Sequence, residues 1–208
     1  MSSAVRAHGS SEQTDVPFVV RSAIKLGLLE AIVVLLFSLG SRFLSGIVEL
    51  LVCGIILAFG VAAITVLPGL WTRARTIDGI ASAAGIGLGA AFVFLFIDVA
   101  LLQPIGTYTN RWLEIGGGSD WWYHPVWWMV GTFVPWMGAV TLANQAARKG
   151  ASISGVLLTL LALVVVLGSG AVLAHLPHAR WGLGAFGVAV IPAAALLCGI
   201  SALGPRRS

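Results

Sequence analysis

The sequence predicts an all-α integral membrane protein: a bundle of six transmembrane helices with an aromatic-rich outer loop between helices 3 and 4. Three observations predict it. The 208-residue chain is 58% hydrophobic and only 10% charged, against about 25% charged in a soluble domain. Its mean hydropathy is +0.98, so there is too little polar surface to cover a water-soluble globule. Six apolar runs reach the length that crosses a hydrocarbon core, roughly 20 residues at 1.5 Å each.

The spans are placed at about 22–40, 47–71, 77–102, 126–147, 152–174 and 181–203, forming one membrane domain over 21–203. The first is the least clean, because Arg21, Lys25 and Glu30 crowd its start; a beginning nearer Val16, as an interfacial turn, is the alternative. Residues 1–20 read as a polar, disordered cytoplasmic tail and 204–208 as a second short one. The opening residues have no basic stretch leading into an apolar one, so the first helix is expected to serve as an uncleaved insertion signal. No lipidation motif is evident.

Charge sets the orientation. With six spans, Arg6, Arg21, Lys25, Arg73, Arg75, Arg148, Lys149, Arg206 and Arg207 share one side, and Arg42, Arg111 and Arg180 the other. The positive-inside rule then makes both termini cytoplasmic in the cell membrane. The same scatter of basic residues over short loops argues against nucleic acid as a partner, despite a net charge of +4. The lipid bilayer is the expected partner. Cys53 and Cys198 fall in apolar helices as small packing residues, at depths too different for a disulfide.

This topology makes 103–128, QPIGTYTNRWLEIGGGSDWWYHPVWW, the long outer connection between two three-helix halves. It holds five of the eight tryptophans and both tyrosines. Trp112, Trp121, Trp122, Trp127, Trp128 and Trp181 fall at the outer boundary, where amphipathic rings meet headgroups. Neighbouring helical residues point about 100° apart, so in WWYHPVWW some rings must face protein. Trp121, Trp122, Tyr123, Trp127 and Trp128 are therefore candidates for a ligand or interface surface. Trp136, deeper and beside Pro135, is expected to pack against other helices. Gly116, Gly117 and Gly118 form a joint, not a phosphate loop, since no Gly-Lys-Ser/Thr follows.

Glu49, Asp98, Glu114, Asp120, His124, His175 and His178 share the outer face. Histidine with carboxylate is a usual donor set for zinc, copper or iron, which makes Asp120, His124, His175 and His178 candidate ligands for a metal ion. Against this, Pro125 favours an extended residue at His124, and no HExxH or CxxC pattern occurs. Interfacial packing is the stronger reading of these residues.

Two acids inside apolar runs are functional candidates because ionisable groups in a bilayer are costly. Glu30 is placed in the cytoplasmic half of helix 1, resolved by protonation or by a bond to Lys25, Asn144 or Gln145. Asp98, near the outer end of helix 3, is a proton acceptor or pairs with Arg42 or Arg111. Gly85 and Gly89 form a GxxxG spacing that lets a helix, in this chain or a partner membrane protein, approach closely. Pro135 and Pro192 are expected to kink their helices.

No catalytic motif is present. The leading functional reading is a structural, accessory or assembly subunit acting through helix packing and the outer aromatic cap. The alternatives are a membrane metal or redox protein or enzyme with an outer His/carboxylate site, and a small transporter using Glu30 or Asp98.

Overall fold

The structure is a computed structural model describing residues 12–109, 123–148, 152–177 and 179–203, with side chains from Trp128 onward in the second of these segments. The described residues form six long helices and no strand. These are α1 (Val16–Phe43), α2 (Gly46–Trp71), α3 (Ile77–Ile97), α4 (Tyr123–Ala146), α5 (Ile153–Leu173) and α6 (Leu183–Leu203). Asp98–Leu102 continues α3 as a π-helical turn. Five of them, α1, α2, α3 with its π turn, α5 and α6, are long and apolar enough to cross a membrane.

Local chemistry places the ends. Asp15 caps α1 by accepting a hydrogen bond from the Phe18 N–H at 3.2 Å, and Pro17 sits in the first turn, where no intrahelical donor is needed. The apolar run predicts a start at 22; these two residues move it to Val16. In the observed helix Glu30 stands at mid-length, fourteen residues from Val16 (30 − 16) and thirteen from Phe43 (43 − 30). α4 begins at Tyr123 rather than 126, so His124 is helical despite Pro125. A proline is tolerated there because first-turn N–H groups have no partner in the helix.

The packing alternates in direction. Gly60 meets Val33, and Gly40 meets Cys53, so α1 and α2 are antiparallel. Gly85 lies by Val19, and Gly89 by Ala23, so α1 and α3 run parallel. α4 packs between α2 and α3, α6 packs on α4, and α5 joins mainly through α6. The start of α1 and the end of α6 lie at one end of the bundle, called here the terminal end. The α1–α2 connection and residues 103–109 lie at the other, the distal end.

Close approach of α4 depends on glycine. A Cβ on Gly138 would collide with the Thr65 carbonyl oxygen, and one on Gly87 with the Gly131 carbonyl oxygen and Pro135. Gly69 is nearly as crowded, since a Cβ there would lie 3.0 Å from the Ala139 Cα. Of the GxxxG pair, Gly89 serves α1 inside this chain, whereas Gly85 is exposed with only Val19 nearby at 3.9 Å. The most crowded glycine of α3 is the one between them, Gly87.

The side chains are sorted by size rather than by polarity. The inward face of α1 carries Ser22, Ala23, Leu26, Gly27, Ala31, Val34, Ser38, Gly40 and Ser41. Its outward face carries Val20, Ile24, Leu28, Ile32, Leu36 and Leu39, mostly at i, i+4 spacing. Phe59, Phe96 and Val188 are 58%, 75% and 74% exposed, far more apolar surface than a water-soluble monomer presents. Small residues inside and large apolar ones outside suit helices that associate by packing in an apolar solvent, and the five apolar helices are compatible with a membrane-embedded protein.

Trp136 is 42% exposed, although the neighbouring Pro135 is fully buried. Its expected packing against other helices is thus corrected: α4 turns Pro135 toward Gly87, which sends the next residue, about 100° round the helix, outward. Cys53 and Cys198 are both free.

Substituting Gly138→Ala should lower stability by roughly 1–3 kcal/mol, the usual range for overpacking, because the obstacle is backbone and cannot rotate away. Gly170→Ala, where nothing lies within 4 Å, should leave stability nearly unchanged or raised. Thermal unfolding of the two variants in detergent checks the contrast.

Candidate functional site

At the distal end, polar groups tie α1 to the chain leaving α3. Asp98 is fully buried where α3 widens into its π turn. Its carboxylate accepts from the Gln103 side-chain amide at 2.8 Å and from the Tyr108 hydroxyl. Gly106 has φ +70°, a value glycine tolerates without a Cβ penalty, and turns the chain back. The Arg42 guanidinium donates to the Gly106 carbonyl at 2.6 Å, and the Ser38 hydroxyl to the Thr107 carbonyl. Ser41 donates to the Ser38 carbonyl at 2.9 Å.

Arg42 therefore binds the turn beyond Asp98 rather than Asp98 itself, correcting one of the two pairings expected for that acid; Arg111 lies outside the described residues. Nothing in α1 marked Ser38 as the partner of a distant turn. The signal for the turn itself was legible in the Gln-Pro-Ile-Gly-Thr-Tyr run that follows Asp98. Glu49 is also buried at this end, in the first turn of α2 and one turn before Cys53.

The histidine and aromatic candidates are only partly in view. Asp120, Trp121, Trp122 and His178 lie outside the described residues. Tyr123, His124 and Trp127 belong to α4, but their side chains lie outside the described set. His175 is exposed in the turn after α5, with φ +54°. It borders an open depression of about 520 Å³ together with Leu176, Arg180 and Trp181. Among the described residues, no three of His, Cys, Asp and Glu gather in a metal-binding group. Trp128 tilts against Phe92, with ring centroids 5.5 Å apart, so this member of the aromatic run bridges α4 and α3 at the bundle surface.

Glu30 differs from every other acid described. Both carboxyl oxygens are buried, and neither has a hydrogen-bond partner. The partners expected for it are occupied or elsewhere. Lys25 is exposed. The Asn144 amide donates to Ser201 at 3.2 Å. Gln145 has its own side-chain oxygen buried without a partner.

The terminal end carries a contact that sequence reasoning missed. Glu12 reaches the α2–α3 connection, where its carboxylate accepts from the Arg75 N–H at 2.5 Å and the Thr76 N–H at 2.8 Å. The Thr76 hydroxyl donates to it as well. The backbone N–H of Gln13 adds a bond to the Thr72 carbonyl at 3.1 Å. Part of the segment assigned to a disordered tail is thereby fastened over the start of α3. Glu12 acts as a cap supplied from outside the helix, where free N–H groups favour negative charge. Beside it an open groove of about 700 Å³ runs between the start of α3 and the end of α4, bordered by Arg75, Asp78, Val140 and Asn144.

No family model, curated protein or solved structure matches the chain. The class of protein is defined by the fold alone, as an all-helical chain whose long apolar helices are compatible with a multi-pass membrane protein.

Desolvation pushes the Glu12 carboxyl up, but the bonds from Thr76, Arg75 and Gly79 together hold it below its ordinary value of 4.5. A depressed folded value means that the clamp stabilises above the unfolded value near 4.5 and is lost as pH falls through the lower folded value. Glu12→Gln should therefore be less stable than the parent at neutral pH, with the difference closing in acid. Unfolding temperature against pH for the two proteins measures this.

Proposed function

We propose that the chain is a six-span protein of the cell membrane with both termini cytoplasmic, working without catalysis as a structural or accessory subunit for partner membrane proteins. What supports the topology is the fit between charge and fold. The start of α1 and the end of α6 share one end of the bundle with Arg21, Lys25, Arg73, Arg75 and Arg148, whereas Arg42 and Arg180 belong to the other. On this topology residues 103–122 form the outer connection and the tryptophans of 121–128 its membrane-facing cap.

The observation that carries the accessory reading is the placement of α5. It joins the bundle mainly through α6, leaving Leu158, Leu161, Val165, Val166 and Leu173 directed outward. A helix held on one flank offers the rest of its circumference to a neighbour. The polar groups of the distal cap agree with it, since Asp98, Ser38 and Arg42 are engaged in joining helix ends to a turn. In α3, Gly85 is exposed and remains the open member of its GxxxG pair.

A second reading, a small transporter, is favoured by the unpartnered carboxyl of Glu30. Asp98 contributes less to that reading, because its carboxylate already holds Gln103 and Tyr108.

Two measurements test these readings. With Cys53 and Cys198 replaced by alanine, a cysteine at Ser119 should react with a membrane-impermeant maleimide on intact cells, whereas one at Ser3 should react only after permeabilisation. The reverse pattern refutes the orientation. Photo-crosslinking residues at Leu158 and Val165, in cells, should give one discrete protein adduct that is absent when the probe sits at buried Val156. Adducts to lipid alone, or none, would remove the accessory reading.

A further inference from the structure

We propose that Glu30 is a proton-binding site in the interior of the bundle, its carboxyl held as the neutral acid with an exchangeable proton as its ligand. This deepens the Glu30 reading above by naming what the residue binds, and it is independent of the accessory reading. The argument begins with an inversion. A long charged side chain at an apolar surface ordinarily turns its tip outward. Glu30 does the opposite: the residue as a whole is half-buried, yet both carboxyl oxygens are fully buried and unpartnered.

The surroundings explain what form the group takes. One turn earlier, Leu26 is fully buried in the central apolar cluster with Ile64, Ile86, Ala90 and Val134. Helical side chains lean toward the N-terminus of their helix, so Glu30 lies over the turn of Leu26 and Gly27. That turn is closed against α3, since a Cβ on Gly27 would come within 2.7 Å of the Ala90 carbonyl oxygen and of Val93 Cβ.

Among the described residues, no countercharge faces this level. On α1, Arg21 and Lys25 are exposed below it, and Arg42 is bound to Gly106 above it. On α2 the ionisable residues between Gly46 and Trp71 are Glu49 and Cys53, and Cys53 packs by Gly40, ten residues further along α1 than Glu30 (40 − 30). On α3 none lies between Asp78 and Asp98. Asp98 is eight residues past Ala90 (98 − 90), about 12 Å along the helix at 1.5 Å per residue, and is engaged by Gln103 and Tyr108. On α4 none lies between His124 and Arg148. A carboxylate among apolar side chains, without a cation or donor, is far costlier than the neutral acid. The proton therefore takes the place of a missing partner.

A hydrophobic carbodiimide tests this directly. The O–H of a protonated acid adds across one C=N bond of dicyclohexylcarbodiimide. The acyl group then migrates to nitrogen, giving an N-acylurea that retains every atom of the reagent. Treating the full chain in detergent should place one such adduct on Glu30, located by tandem mass spectrometry. Labelling should fall severalfold as the pH is raised and vanish in Glu30→Gln. Absence of an adduct at Glu30 at every pH, or labelling that ignores pH, overturns the proposal. Glu30→Gln should also unfold at or above the parent's temperature, as it removes an ionisable group that has no partner; a clear drop would mean that the carboxyl is bonded, and would overturn the proposal as well. Adduct formation in a protein that conducts no proton flux in proteoliposomes supports the site while removing the transport reading.

Discussion

The bundle depends on how closely α4 can approach α2 and α3. At Gly138 and Gly87 the distances leave no room for even a methyl group, because the facing atoms are the carbonyl oxygens of Thr65 and Gly131. Backbone packed on backbone is the arrangement that small residues permit, and it supplies dispersion contacts of the kind by which helices associate in an apolar solvent. α4 carries α6, and α6 carries α5. The second half of the molecule is thus attached to the first through these glycine contacts, while the amide and guanidinium bonds that Asn144 and Arg148 make to Ser201 tie α4 to α6 near the terminal end.

Given that packing, the polar residues divide into two kinds. Most bind backbone or each other at the two ends of the bundle, where helices stop and N–H and C=O groups lack helical partners. Asp98, Gln103 and Tyr108 close the end of α3, Ser38 and Arg42 hold the turn that follows, and Glu12 covers the start of the same helix. α3 is therefore fastened at both ends by groups distant in sequence. Glu30 is of the other kind, a carboxyl at mid-helix with nothing bound to it. A residue whose tip is turned inward without a partner is poorly explained as a support for the fold, which is what makes it the most informative polar group described.

Several features were legible from residue order alone. The six helices and most of their limits followed from apolar run length, because burying a peptide backbone among apolar side chains demands internal hydrogen bonds whatever the neighbours are. The involvement of the GIGLGA run in close packing was legible too, but not which glycine would be crowded. That depended on the angle at which α4 crosses α3, and the crossing selected Gly87. Trp136 misled for a related reason: depth in an apolar run says how far along a helix a residue sits, not which way it points. Asp98 was recognisable as unusual, yet its partners Gln103 and Tyr108 sit in the turn beyond the helix, and the Arg42 that charge alone would pair with it binds a carbonyl instead.

Composition and hydropathy by themselves determined that this chain forms long apolar helices, since too few polar side chains exist to cover a water-facing surface. The distribution of Arg and Lys is what the proposed orientation rests on. Tertiary structure decided what no linear pattern encodes. It chose which side of each helix faces inward, because that depends on how small residues on neighbouring helices interlock. It also decided which polar groups find partners: Glu12 and Arg42 do so across more than sixty residues of chain, whereas Glu30 finds none. Hydrogen bonds are satisfied by distance and direction in space, and only the packed bundle sets both.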